Sequence, residues 1–171
     1  MTADRTDLVC NTGPLIAVAA ACGDWSPFAR LNRRILVPRT VWDELHRGRP
    51  GTPGRTLPLE GSGLELWDEH VPVPAYIRNS LDPGESAVIA TALAHGITMV
   101  AIDEQAGRRT ARACGLTVTG TWGILLRARS LGHPVDIPIA IQRIRLAGIW
   151  VSDALADQVL GLLRGGDATR P

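Results

Sequence analysis

The sequence predicts a single α/β domain with a mainly parallel sheet flanked by helices on both faces, and three observations predict it. Short, almost wholly apolar runs at Leu8 to Cys10, Ile35 to Val37 and Met99 to Ile102 have the look of strands buried on both sides. The segments between them carry helix start and stop signals. The alternation persists along most of the chain without an internal repeat or low-complexity tract, which favours crossovers between parallel strands.

Leu8-Val9-Cys10 is bounded by Asp7 and by Asn11-Thr12-Gly13-Pro14, a strand that ends in a turn. Pro14 opens a helix whose residues from Leu15 to Ala21 are all apolar, packed on most sides and stopped at Gly23. A second helix is expected from Trp25 to Arg33. Ile35 to Val37 forms the next strand, and Pro38 to His46 a helix with Val41 and Leu45 on one face and Asp43 and Glu44 beside them. Arg47 to Thr56, rich in Gly, Pro and Arg, is a loop. Leu64 to Trp67 reads as a strand at the margin of the sheet, and a short helix begins near Pro74. Asp82-Pro83-Gly84-Glu85 is a strong helix start: Asp suits the cap, Pro the first turn, and Glu the position that reaches back to the cap. That helix runs to His95 and stops at Gly96. After Met99 to Ile102 the strand ends at Asp103, and an Ala- and Arg-rich helix continues to Cys114 with Gly115 as its stop. Leu116 to Thr119 makes another strand, and Gly120-Thr121 turns into a helix through Leu131. A helix near Pro138 to Ala147, an apolar run at Ile149 to Val151 and a helix from Asp153 to Arg164 complete the domain, which spans residues 1–164. Residues 165–171 form a frayed tail.

Bulk properties bound the function. With 171 residues, 45% of them hydrophobic, the chain can bury one substantial core. Lys and Arg number 18 against 17 acids, so attraction to nucleic acid needs local basic patches and not the net charge. Cys10, Cys22 and Cys114 are odd in number and lack metal-ligand spacing, which suits a reducing cytoplasm and argues against zinc. No signal-peptide pattern opens the chain and no run approaches the roughly 20 apolar residues that span a bilayer.

In a parallel sheet, ligand sites gather at the carboxyl ends of the strands. That rule selects Asn11-Thr12, Asp103-Glu104 and Thr119-Gly120-Thr121, with Glu44 and Glu85 joining if their helices reach the same rim. Grouped carboxylates repel one another unless a cation lies between them, and Mg²⁺ and Mn²⁺ take hard oxygen ligands. An ion of this kind lowers the pKa of a water and stabilises the charge that builds on a phosphodiester under in-line attack.

The segments V-C-N-T-G-P-L-I (Val9 to Ile16), V-P-R-T-V-W-D-E-L (Val37 to Leu45), L-D-P-G-E-S-A-V-I-A (Leu81 to Ala90), A-I-D-E-Q-A-G-R-R-T-A (Ala101 to Ala111) and G-L-T-V-T-G-T-W-G-I-L-L (Gly115 to Leu126) occur in an order and spacing that resemble a PIN domain. The likeness is to a prokaryotic subgroup of PIN-like proteins and covers roughly Leu8 to Leu131. The resemblance implies a Rossmann-like fold, a site of three or four acids for Mg²⁺ or Mn²⁺, single-stranded or structured RNA as substrate, a toxin's place in a toxin–antitoxin pair with an antitoxin protein as partner, and a homodimer. By position Asn11 stands where the first acid usually stands, Glu44 at the second, Glu85 at the third and Asp103 at the fourth. Thr12 and Thr121 match small polar residues lining the site. An Asn carbonyl can ligate Mg²⁺ but brings no charge.

Each candidate also has a plain structural reading. Glu85 is a capping-box residue with Asp82, Glu44 belongs to a solvated helix face, Asp103 is an N-cap, and Asn11 is an Asx-turn residue. Glu104 either supports a second ion or sits in a first helical turn. Arg108, Arg109 and Arg112 follow Asp103 closely enough to bind flanking phosphates, with Arg47, Arg49 and Arg55 either assisting or simply solvating a loop. The four histidines share no catalytic spacing. Trp25, Trp42, Trp67, Trp122 and Trp150 fit a core better than a base-stacking surface, with Trp122 nearest the rim. The leading expectation is a metal-dependent ribonuclease, and the alternative is a catalytically weak module that binds RNA or a protein. A nucleotide-binding domain is disfavoured because no Gly-rich phosphate loop follows the first strand.

Overall fold

The computed structural model describes residues 7–31 and 33–167. Five parallel strands form one sheet in the order β3-β2-β1-β4-β5, where β1 is Leu8–Cys10, β2 Ile35–Pro38, β3 Leu64–Trp67, β4 Met99–Ala101 and β5 Thr117–Thr119. Leu8 pairs with Ile35 on one side and Met99 on the other, so β1 is central. Every residue of β1 and β2 is buried, and since successive side chains point to opposite faces, both faces are covered. From β1 the chain steps outward to β2 and β3, then crosses back past β1 to β4 and β5. Right-handed crossovers place the helices of these two passages on opposite faces.

The helices stand close to their sequence-based positions. α1 (Thr12–Cys22) is apolar from Pro14 onward and packs against α3 (Arg39–Arg47), α7 (Thr121–Ser130) and α8 (Ile137–Leu146). Gly23, at φ 82°, closes α1 by donating its amide to the carbonyl of Ala19 at 2.8 Å. α5 (Pro83–Ala94) lies across β1, β2 and β4, and α6 (Gln105–Ala113) beside β5. α4 (Ala75–Arg78) is the short helix after Pro74. β3 is the edge strand expected at the sheet's margin.

The second helix departs from expectation. In place of Trp25 to Arg33, α2 spans only Ser26–Ala29. Trp25 is sunk in the core with its indole N–H donating to the carbonyl of Leu15 at 3.0 Å, and Phe28 is fully buried. Tight turns from Pro27 to Arg30 and Phe28 to Leu31 then release the chain toward β2. These two anchors set the segment's place, and a longer helix would carry the chain past the start of β2. At the other end, α9 (Asp153–Asp167) continues three residues beyond Arg164, into the stretch expected to fray. Residues 168–171 and the N-terminal segment 1–6 lie outside the described residues. No helix among the described residues is long and apolar enough to cross a membrane.

Candidate metal centre

The carboxyl ends of β1, β4 and β5 are tied together by backbone bonds. The amide of Asn11 donates to the carbonyl of Ala101 at 3.0 Å, and that of Ile102 to Thr119 at 3.1 Å. The residues that follow these strands therefore open onto one rim. Asp103 is held there by Thr121, whose backbone N–H donates to Oδ1 at 2.8 Å and whose hydroxyl donates to Oδ2 at 2.6 Å. It does not cap its own helix, because the N-cap of α6 is Glu104.

On the other side of the rim the hydroxyl of Thr12 donates to Glu44 Oε2 at 2.6 Å, linking α1 to α3. Gly84 marks how close this group comes to Asn11: a Cβ at position 84 would lie 2.5 Å from Glu44 Oε2, 3.0 Å from Asn11 Oδ1 and 3.5 Å from Asp82 Oδ1. Asn11 occupies the N-cap position of α1, yet its side chain makes no capping bond. Its Oδ1 is buried and without a hydrogen-bond partner, so local turn chemistry does not explain it.

Asp82 does cap α5, accepting the amide of Glu85 at 2.7 Å. Glu85 itself is 2% exposed, and its Oε1 makes no well-formed hydrogen bond among the described residues, although the backbone amides of Asp82 and Gly107 lie near enough to its carboxyl to favour the charged form in part. Asp82, Glu85 and Glu104 each offer a carboxylate oxygen within 4.8 Å of the other two. Burial chiefly, then the charges of Asp82 and Glu104, push the Glu85 carboxyl up to about 7. Glu104 is raised as well, by its own desolvation and then by Asp82, Glu44 and Asp103. The acids that follow β4 and those of α3 and the start of α5 thus act on one another along one rim, although the sequence pointed to Asn11, Glu44, Glu85 and Asp103 as the group. The tightest set shares only Glu85 with it. Asp82 and Glu104, read from sequence as a cap and a first-turn residue, join the cluster because α5 and α6 start side by side, a juxtaposition that only tertiary packing creates.

The basic candidates separate. Arg108 is half-buried, with Nη1 donating to the carbonyls of Ile102 at 2.7 Å and Thr119 at 3.0 Å, so this nitrogen braces the strand ends instead of reaching outward. Arg109 and Arg112 stand exposed on α6. Two hollows adjoin the rim. One, of about 340 Å³, is lined by Thr40, Glu44, Arg47, Gly48, Pro83 and Gly84. The other, of about 470 Å³, has Asp103, Arg108, Thr121, Trp122, Trp150 and Gln158 among its walls. A third, of about 420 Å³, holds the Arg39–Asp68 ion pair and none of the rim acids.

A family model described as PIN domain matches residues 7–164. The chain belongs to the PIN-domain family. PIN domains are generally nucleases that use divalent metals, and this member carries an acidic cluster of Asp82, Glu85 and Glu104. Neither the curated proteins nor the solved structures yield a match. The residues of this PIN domain fit a hard divalent cation. Among the described residues, the buried Asn11 Oδ1 has no hydrogen-bond donor, Glu85 Oε1 has no well-formed one, and Asp82, Glu85 and Glu104 stand together with no ion pair to neutralise them.

Proposed function

We propose that this PIN domain is an Mg²⁺- or Mn²⁺-dependent endoribonuclease. The observation that carries the reading is the convergence of unpartnered buried oxygens with a three-carboxylate cluster at the carboxyl edge of a parallel sheet. Glu85, Asp82 and Glu104 would hold the ion most closely, with Asn11, Glu44 and Asp103 completing the oxygen lining. When bound, such an ion activates a water for in-line attack on a phosphodiester and offsets the charge that builds on phosphorus. The protein's own part is positioning. Thr121 fixes both oxygens of Asp103, Thr12 fixes one oxygen of Glu44, and Arg108 keeps the strand ends from separating. Exposed Arg109 and Arg112, with Arg47 beside Glu44, supply positive charge for phosphates on either side of the cut.

The test is cleavage of labelled single-stranded RNA by chelated protein, with Mn²⁺ or Mg²⁺ then restored. Cleavage should require the ion, and the ion should raise the melting temperature in a concentration-dependent way. Absence of both effects would leave the acids as a solvated rim. A second reading, a weakened module that binds RNA or a protein such as an antitoxin over this rim, is favoured by the uncharged Asn11. It predicts ion binding and RNA binding with negligible turnover.

Gly84→Ala probes the hollow directly. The added methyl would press between Glu44 and Asn11, where the neighbouring atoms are ends of side chains, while Ala suits a helix better than Gly. The expected outcome is a melting temperature unchanged or slightly raised in chelator, with Mn²⁺ affinity weakened roughly tenfold, a loss of about 1.4 kcal/mol. Isothermal titration and a melting curve on the same preparation read both effects.

A further inference from the structure

The tryptophans were expected in the core, and Trp25 is there, but Trp150 is 87% exposed. It does not hang from a loose loop. Arg145 donates from Nε and Nη2 to the carbonyl of Val151 at 3.0 and 2.8 Å, and Nη2 also reaches Asp153 Oδ1 at 2.7 Å. The amide of Ile149 donates to Ile144 at 3.2 Å, and Val151 is buried. The backbone on both sides of Trp150 is therefore anchored while the indole stands in solvent, an arrangement that presents a flat aromatic surface with little conformational entropy left to lose.

That surface forms one wall of the 470 Å³ hollow, which runs without interruption to Asp103 and Thr121 at the rim. Trp122, on the first turn of α7, contributes a second, half-buried indole, and the exposed Gln158 brings an amide that both donates and accepts. The volume lies in the range of sites for small planar ligands. Aromatic planes, an amide at the edge and a guanidinium nearby match an unpaired nucleobase, whose faces stack and whose edge hydrogen-bonds.

We propose that this hollow seats a nucleobase of the strand being cut, next to the scissile phosphate, stacked on Trp150 with its edge toward Gln158. The inference rests on the nuclease reading for the phosphate's place, and what it adds is a base-binding subsite on Trp150 and Gln158 beside that phosphate, which an unpaired base can enter and a base within a duplex, with no free face to offer, cannot. Continuity with the acidic rim favours a nucleic-acid occupant over a protein one.

The experiment compares wild type, Trp150→Phe, Trp150→Ala and Gln158→Ala on a single-stranded octamer, the same octamer in a duplex, and one with an abasic position next to the cleavage site. Trp150 is exposed, so its removal should leave the melting temperature in place. Trp150→Ala should raise KM for the octamer about tenfold with kcat nearly unchanged, Trp150→Phe should retain most of the affinity, and the abasic octamer should bind wild type and Trp150→Ala alike. Equal KM values for wild type and Trp150→Ala, with cleavage intact, would overturn the base pocket and leave the nuclease standing. Ion-independent, Trp150-sensitive binding of the octamer without cleavage would do the reverse, keeping the pocket and removing the nuclease. Should Trp150→Ala leave RNA binding untouched and instead dissociate a complex between protein chains, the surface belongs to a protein interface and the proposal falls.

Discussion

Replacing Glu85 by Gln is expected to lower Mn²⁺-supported RNA cleavage by roughly two to three orders of magnitude while making the ion-free protein more stable above neutral pH. The opposite signs follow from one fact. Glu85 is almost wholly buried beside Asp82 and Glu104, and its carboxyl is raised to about 7 by desolvation and by those charges. An acid whose folded pKa exceeds its unfolded value of 4.5 destabilises the fold once it ionises. Below about pH 4.5 it is protonated in both states and contributes nothing to the difference. From about 4.5 to about 7 the unfolded chain loses the proton while the folded chain keeps it, so stability falls as pH rises; above about 7 the penalty is complete. Allowing for water at the open rim, the penalty is roughly 1–2 kcal/mol. In chelator, the melting temperature of the wild type should therefore decline across this window, and that of the Gln variant should decline less. Mn²⁺ should reverse the order, because the wild type presents one more charge for the ion to neutralise than the Gln variant does. A Gln variant that cleaves RNA normally would remove Glu85 from the site, and one whose ion-free melting curve tracks the wild type at every pH would refute the account of its burial.

The fold was legible because the strands signal themselves locally. Wholly apolar β1 and β2 can only be buried on both faces, and Asp82-Pro83-Gly84-Glu85 specifies the start of α5 within four residues. α2 was misread because its length is decided by where Trp25 and Phe28 lodge in the core and by how far off β2 lies, neither of which periodicity encodes. The site divides in the same manner. Asp103 follows directly from its place after a buried strand. Asp82 and Glu104 have complete local explanations as cap and first-turn residues, so nothing local distinguishes them from ordinary helix ends; their approach to Glu85 arises from the packing of α5 against α6. Arg108 carries a role its spacing from Asp103 does not announce, since its Nη1 donates to the carbonyls of Ile102 and Thr119 while the residue also lines the hollow beside Asp103. Trp150 shows that an apolar residue type alone does not foretell burial.

Asn11→Asp should have the largest effect of opposite kind, strengthening the site and weakening the ion-free fold. Asn11 Oδ1 is buried, has no donor, and stands with Glu44 Oε2 and Asp82 Oδ1 around the space that Gly84 leaves open. A carboxylate there would add charge to a cluster that already suppresses the ionisation of Glu85 and Glu104. Without an ion the variant should lose about 1–2 kcal/mol, visible as a melting temperature lower by several degrees. With one, the extra formal charge should tighten Mn²⁺ binding by tenfold or more, since ligand charge is the main lever on affinity for hard cations. Cleavage measured at saturating Mn²⁺ then separates the two readings of this PIN domain. If the natural Asn only weakens ion capture, wild type and variant should converge in rate once the ion is saturating. A gain of an order of magnitude that persists at saturation would mean that Asn11 holds the chemical step down, the behaviour of a module that has drifted toward binding. Mn²⁺ affinity unchanged by the substitution would show that the side chain at position 11 does not face the ion, and its orphaned oxygen would need a different explanation.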